Sequence, residues 1–194
     1  MYLESQQLLI IRKCQAGDLD AFRILVENYQ DFAYNLAFKI LANEEDAKDI
    51  VQETFIRIWK NIKKYDSKNK FTTWLYKIVV NLCLDNLKMK KRRNIQYANA
   101  ENNEQPYNIG SGEDVEQIII QKEMIELIAS LTEKLTPKQR VVFVLFFLQE
   151  KSIEEIKSIT SMSKGNVKSN VYYARKNMQL LLENKLMDSK TVEP

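Results

Sequence analysis

The sequence contains no histidine and few of the residues that form turns, disulfides or metal sites. Its 194 residues include four glycines, three prolines and two cysteines. The absence of histidine excludes imidazole acid–base catalysis and histidine-containing metal sites. Because an all-β architecture needs many tight turns, the scarcity of glycine and proline favours an all-α fold.

The sequence also lacks the common constellations of an active site. Cys14 and Cys83 form no C-x-x-C pair and lie in apolar segments, so we expect two small buried side chains. No glycine-rich phosphate loop or cluster of metal-binding carboxylates is present. We therefore expect no catalytic residues, no metal, no cofactor and no small-molecule substrate. These absences argue against an enzyme that acts on nucleic acid.

Long apolar runs are missing as well. The N-terminal segment has only four consecutive apolar residues, at positions 8–11, without the basic start of a signal peptide. No later segment has the length and apolar character of a membrane span. The sequence thus predicts a cytoplasmic protein with reduced cysteines.

The net charge of +3 is unevenly distributed. Residues 1–93 carry a net charge of +5, residues 94–117 a net charge of −5, and residues 118–194 a net charge of +3. Within residues 60–93, eleven Lys and Arg side chains accompany only two Asp. This concentration favours a polyanionic partner, although a lysine-rich solvated helix face would have the same composition.

The acidic segment at residues 94–117 divides the chain into two domains. It lacks an apolar period and is rich in Asn, Gln and Glu, and structureless stretches of this length are unusual within one compact domain. We therefore predict two small helical domains, residues 1–93 and 118–194, joined by a flexible acidic linker.

Capping residues and apolar periods predict three consecutive helices in the first domain. Asp18 or Asp20 can cap one helix and Asn43 the next, because their side chains accept hydrogen bonds from free backbone N–H groups. The third helix is expected from near Phe71 to about Arg93, with apolar residues at helical spacing.

The second domain contains a helix-turn-helix pattern. Thr136 with Gln139 and Ser152 with Glu155 form capping boxes, and Ser163 begins another helix directly after a tight turn. That last helix places polar and basic residues beside a packed apolar face, as a helix that contacts phosphates and base edges does. A solvated helix face is the alternative. The candidate DNA-binding residues are Lys164, Asn166, Lys168, Ser169, Tyr172, Tyr173, Arg175 and Lys176.

Three motifs, in order, resemble the extracytoplasmic-function (group IV) sigma factors of bacterial RNA polymerase. D-A-K-D-I-V-Q-E-T-F-I-R-I-W (46–59) resembles the core-binding region. The segment F-T-T-W-L-Y-K-I-V-V-N (71–81), continuing to residue 93, resembles the helix that melts and reads the −10 element. L-T-P-K-Q and the helix-turn-helix resemble the domain that reads the −35 element. The resemblance implies a protein that binds core polymerase and directs initiation at promoters.

The resemblance implies roles for two sets of residues in the first domain. A polar stripe would dock mainly on the coiled coil of the polymerase β′ subunit, where charged groups supply steering and register. Its residues are Asp46, Asp49, Gln52, Glu53 and Arg57. An amide that donates and accepts would read a base flipped out of the melted −10 strand, beside a loop and a cationic cluster. These candidates are Lys68, Asn69, Lys70, Lys77, Asn81, Lys88, Arg92 and Arg93.

The resemblance also implies a monomer that binds promoter DNA and an anti-sigma factor. The acidic linker has two open interpretations: it mimics nucleic acid in a polymerase channel, or it only stays extended and soluble. A stand-alone helix-turn-helix regulator is the main alternative, and it predicts a dimer. Asn170 and Tyr173 stand where the family usually has arginine, Lys157 where it has alanine and Asn166 where it has threonine. Because of these departures, the resemblance does not identify which −35 sequence the protein reads.

Overall fold

The computed structural model describes residues 2–68, 70–97, 131–132 and 134–190, which contain helices and no strand. This confirms the all-α expectation. The helices of the first domain are α1 (Tyr2–Gln15), α2 (Leu19–Leu41), α3 (Glu44–Asn61), a 3₁₀ turn (Ile62–Lys64) and α4 (Phe71–Tyr97). Those of the second are α5 (Pro137–Phe143), which continues as a π-helical turn (Val144–Leu148), α6 (Ile153–Thr160) and α7 (Lys164–Lys190).

The helix starts of the first domain follow the capping residues. The Asp18 side chain accepts from the backbone N–H of Ala21 at 2.9 Å, so Asp18 rather than Asp20 caps α2. Asn43 caps α3 in the same way, through the N–H of Asp46 at 2.9 Å. Such caps typically stabilise a helix by about 1 kcal/mol. Helix α4 continues to Tyr97, four residues past the expected end at Arg93, so the first four residues of the predicted linker are helical. Residues 98–117 of that linker lie outside the described residues.

Both capping boxes of the second domain are present. Thr136 and Gln139 bond reciprocally at the start of α5, and Ser152 and Glu155 do so at the start of α6. Ser161 adopts a left-handed backbone conformation (φ 58°) directly after α6. The chain therefore reverses within three residues, and α7 begins at Lys164 as the second arm of a helix-turn-helix.

The core of the first domain is formed by α2, α3 and α4, with α1 packed on α2. Leu25, Ile58 and Leu75 are fully buried within it. Cys14 and Cys83 are 1% and 0% exposed, which confirms the expectation of two buried thiols. Burial raises the pKa of both thiols, so they stay protonated at neutral pH.

The two domains pack against each other and share one apolar core. Helix α4 is covered by α2 and α3 on one side and by α5 and α6 on the other. The sequence pattern predicts a single apolar stripe on α4, whereas residues between Leu75 and Leu84 are buried nearly all round the helix. No helix in the described ranges combines the length and hydropathy needed to cross a membrane.

Candidate polymerase-binding and DNA-binding surfaces

Four of the five predicted polymerase-binding residues share the outward face of α3. Asp49 and Gln52 are exposed. The side chains of Glu53 and Arg57 are 44% and 46% exposed and pair with each other, with 2.8 Å between Oε1 and Nε. Because the apolar residues on the opposite side of α3 lie in the core, this face is turned away from the rest of the domain.

Asp46, the fifth residue, points elsewhere. Its side chain is only 18% exposed and pairs with Lys90 of α4. It also accepts a hydrogen bond from Asn86 Nδ2 at 3.4 Å. The expectation that Asp46 lies in the outward stripe is therefore wrong. Helix α4 passes the first turn of α3 and brings two donors to this carboxylate, which a pattern within α3 cannot reveal.

An apolar groove lies beside the stripe, between α2 and α3. Its volume is about 720 Å³, and Phe22, Val26, Phe55 and Gln52 are among its lining residues. Ile56, which also lines it, is 39% exposed. The sequence pattern did not single out Ile56, although an isoleucine beside Arg57 interrupts the polar stripe and indicates an apolar contact there. The polar stripe therefore has an apolar neighbour for a docking partner to cover.

The predicted −10 residues occupy the free side of α4 and its exposed end. Asn81 is exposed and Lys77 is half-buried. Lys88 pairs with Asp85 at 3.4 Å and is 51% exposed. Arg92 and Arg93 are exposed at the far end. An amide at the middle of the helix is thus followed by cations toward its C-terminal end.

Residues on both sides of the loop that precedes α4 form an aromatic cluster. The rings of Tyr65 and Trp74 are 5.1 Å apart and inclined by 32°. Phe71 contacts both rings edge-on, with centroids 5.8 Å away in each case. In the loop itself Lys68 and Lys70 are exposed, and Asn69 lies outside the described residues. Trp74 is half-buried, so its ring packs against the core and is also partly exposed to solvent.

All eight candidate residues of α7 are exposed, as the sequence predicts. Val167 and Ala174 are fully buried and fix which side of α7 faces outward. Tyr172 and Tyr173 are 61% and 52% exposed, and their rings contact edge to face at 5.3 Å. Two adjacent exposed aromatic rings add an apolar contact to a face that is otherwise polar and cationic.

Lys164 already has an acidic partner in the free protein. Its ammonium lies 2.5 Å from a carboxylate oxygen of Glu154, across the turn between α6 and α7. Lys157 lies 3.7 Å from the same carboxylate. The hydrogen bond from Lys164 lowers the pKa of Glu154. Lys164 therefore presents less net positive charge to DNA than Lys168, a difference that the sequence pattern does not indicate.

Among the residues that the structure describes, no group of three or more Cys, Asp or Glu side chains is placed to hold a metal ion.

Two family models match the chain. Sigma-70 region 2 matches residues 25–93, and Sigma-70, region 4 matches residues 125–178. The chain is 35% identical over 169 residues to the ECF RNA polymerase sigma factor SigW of Bacillus subtilis, covering 85% of this chain and 90% of that one. It is 29% identical over 178 residues to the ECF RNA polymerase sigma-E factor of Escherichia coli K12, covering 88% and 93%.

Solved structures have the same fold. CnrH in complex with the cytosolic domain of CnrY gives a TM-score of 0.63 at 21% identity, over 91% of this chain and 96% of that one. The sigma factor RpoE of Bartonella quintana, in complex with the anti-sigma factor NepR, gives 0.58 at 19% identity, over 84% and 96%.

Two helical domains that match region 2 and region 4 in order define a sigma factor rather than a stand-alone helix-turn-helix regulator. The chain belongs to the extracytoplasmic-function family of RNA polymerase sigma factors. It directs promoter-specific transcription initiation by RNA polymerase.

Proposed function

We propose that the outward face of α3 binds core RNA polymerase, that α4 captures the melted −10 strand, and that α7 grips the −35 duplex. The observation that carries this division is that α3 and α7 each bury one face and present a polar or cationic face to solvent, while α4 keeps Asn81 and its cationic C-terminal end exposed. The β′ coiled coil is the main partner of α3, contacting Asp49, Gln52, Glu53 and Arg57, and the groove at Ile56 extends that surface. Asp46 is left out of this surface because its carboxylate pairs with Lys90 of α4.

Capture of the −10 strand uses an exposed amide and nearby cations. Asn81 both donates and accepts, so it suits the edge of an unpaired base. Unpairing a base costs on the order of a few kcal/mol. Stacking and phosphate contacts from the α4 surface, including Lys77, Lys88, Arg92 and Arg93, offset that cost, as in other single-strand binding proteins. We expect the loop before α4 to form one side of the same site, through Lys68, Asn69 and Lys70.

The −35 duplex is held by charge and by the face of α7. Lys168, Arg175 and Lys176 supply phosphate contacts, which position the helix without reading sequence. Asn166, Ser169 and the two tyrosines are exposed on α7. They would supply polar and apolar contacts to base edges in the groove. Because Asn170 and Tyr173 are uncharged where the family usually has arginine, we expect the affinity of this face for DNA to depend less on salt concentration.

An anti-sigma partner and a compartment complete the proposal. The two solved neighbours are complexes, one with the cytosolic domain of CnrY and one with the anti-sigma factor NepR, and we propose an anti-sigma partner for this protein as well. The protein would act as a monomer in the cytoplasm and leave the chemistry of RNA synthesis to the polymerase. The acidic segment that follows α4 would connect the −10-binding and −35-binding domains.

In vitro transcription tests this function. Purified protein is added to bacterial core polymerase on a fragmented genomic library, and the 5′ ends of the transcripts are sequenced. We expect initiation at a small set of sites that share two sequence elements. Core enzyme alone, under the same conditions, gives the background. Indistinguishable start sites with and without the protein would contradict the proposal.

A further inference from the structure

The last turn of α1 is fixed in position by its neighbours. Ile11 and Cys14 are 2% and 1% exposed in the core. Gly17 has a positive φ of 94°, which lets the chain reverse directly after the helix. Asp18 then begins α2. Gln15, in the final turn, is therefore held at the surface of the domain with its side chain next to the 3₁₀ turn.

The Gln15 amide binds two carbonyl groups of a distant segment. Its Nε2 lies 3.0 Å from the carbonyl oxygen of Ile62 and 3.0 Å from that of Tyr65. Ile62 is the first residue of the 3₁₀ turn, and its carbonyl oxygen also accepts the backbone N–H of Tyr65 at 3.1 Å. Tyr65 is the first residue after the turn. A carbonyl oxygen has two lone pairs, so the Ile62 carbonyl can accept from Gln15 as well, and the two N–H donors of one amide can bond both carbonyls.

We call the two hydrogen bonds from Gln15 the clamp. Tyr65, one of the residues it holds, belongs to the aromatic cluster formed on both sides of the loop. Tyr65 packs against Trp74 and Phe71. A second side chain of α1, Gln7, donates to the hydroxyl of Tyr29, whose ring is 5.0 Å from Phe71. Helix α1 therefore holds the cluster at two points, one through Tyr29 and one through the backbone of Tyr65.

We propose that Gln15 is a positioning residue for capture of the melted −10 strand. The inference rests on the proposed function, in which the loop before α4 and the surface of α4 form the capture site. With the clamp in place, the start of the loop at Tyr65 is already fixed before DNA binds. Without it, the start of the loop loses one of its anchors, and the additional ordering that binding then requires weakens binding.

The variant Gln15→Met isolates the clamp, because methionine has the same length and no N–H donor. We expect it to bind the unpaired strand roughly tenfold more weakly, since two hydrogen bonds and the order they impose are lost. Gln15→Lys, which restores a donor of similar reach, should recover part of the affinity. Gln6→Met is the matched control, because Gln6 is exposed on the same helix.

The probe is a fluorescent single strand covering the −10 element of a promoter found with wild-type holoenzyme. Its dissociation constant for each holoenzyme is measured by anisotropy, and permanganate reactivity is measured on the duplex promoter. Affinities for core polymerase and for the −35 duplex, measured alongside, should stay within twofold. A general loss of folding would lower all of these together, whereas loss of the clamp lowers only strand capture and opening.

Two results overturn the inference in distinguishable ways. If wild-type holoenzyme opens the promoter and Gln15→Met does so equally well, or if Gln6→Met shows the same loss, the positioning role is wrong while the proposed function stands. If wild-type holoenzyme opens no promoter and binds no strand, the proposed function fails and the positioning role fails with it.

Discussion

The hydroxyl of Tyr76 donates a hydrogen bond to Oε1 of Gln149 at 3.1 Å, and this bond joins the two domains. Tyr76 lies in α4, and Gln149 directly follows the π-helical turn of the second domain. Lys151 extends the contact, with its ammonium 5.0 Å from the centroid of the Tyr76 ring. The helix proposed to capture the −10 strand is thus packed against the domain proposed to bind the −35 element.

This packing has a consequence for DNA binding. Elements centred at −35 and −10 are separated by roughly 80 Å of duplex, at about 3.4 Å per base pair. Helix α4, with its 27 residues, is about 40 Å long at 1.5 Å per residue. Two domains sharing a core along α4 do not span that separation. We therefore expect the domain contact to break when both elements are bound.

Replacing Tyr76 by phenylalanine tests the role of the domain contact. One neutral hydrogen bond contributes about 1 kcal/mol, so Tyr76→Phe should raise the ratio of separated to packed molecules roughly fivefold. Single-molecule energy transfer between dyes on exposed positions of α2 and α7 measures that ratio. Tyr34→Phe is the control, because Tyr34 is a half-buried tyrosine of α2 that stacks on Phe38. The same shift in both variants would rule out a specific role for the Tyr76 bond.

Charge reversal on α3 tests the polymerase-binding surface. We expect Asp49→Lys with Glu53→Lys to weaken binding to core polymerase by roughly tenfold or more, because like charges placed at an interface cost several kcal/mol. Both side chains lie on the outward face, so the circular dichroism spectrum should not change. Asp20→Lys with Glu27→Lys makes the same change in charge at exposed positions of α2. Equal losses in the two double variants would mean that only net charge matters.

Replacing Asn81 should reduce promoter opening far more than it reduces binding to the closed duplex. A side chain that bonds a base edge contributes about 1–3 kcal/mol, so Asn81→Ala should reduce open complexes roughly tenfold to a hundredfold. Permanganate footprinting of a cognate promoter measures opening, and a gel shift with the closed duplex measures binding. Asn35→Ala removes an exposed asparagine of α2 and serves as the control. Equal effects of Asn81→Ala on both steps would contradict base capture.

The basic residues of α7 should differ in their salt dependence. Lys168→Ala and Arg175→Ala should each weaken −35 binding and reduce the slope of log K against log salt by about 1. Lys164→Ala should reduce that slope less, because Glu154 already pairs with Lys164 at 2.5 Å. Conversely, Glu154→Gln should tighten binding by releasing Lys164. Identical slope changes for Lys164 and Lys168 would show that the Glu154 pair has no effect on DNA binding.

The capping box at the start of α6 should contribute to stability in a pH-dependent way. Ser152→Ala removes the cap, and we expect a loss of about 1 kcal/mol in the free energy of unfolding, measured with urea. The backbone and side-chain hydrogen bonds from Ser152 lower the pKa of Glu155. A lowered pKa means that the stabilisation is present at neutral pH and is lost as the pH falls through the folded-state value.

The matching variant is Glu155→Gln, which keeps an acceptor but does not titrate. Its free energy of unfolding should depend less on pH on the acid side than that of the wild type. An unchanged acid slope would mean that this carboxylate is not among the groups that set it.

The sequence by itself determined where most helices begin and which residues face solvent. Asn43, Thr136 and Ser152 cap helices because a short polar side chain can reach a backbone N–H three residues later. The exposed face of α7 follows from the spacing of Val167 and Ala174. These features are local: both partners lie within a few turns of one helix, so their spacing along the chain fixes their spacing in space.

Only the tertiary structure decided the contacts that join distant segments. Asp46 faces Lys90, 44 residues away, and not the outward stripe that its spacing suggests. Gln15 reaches carbonyls 47 and 50 residues away. Helix α4 is buried on both sides because the second domain packs on it. The amphipathic pattern of one helix shows which face is apolar, but the partner of a polar side chain depends on how the helices cross.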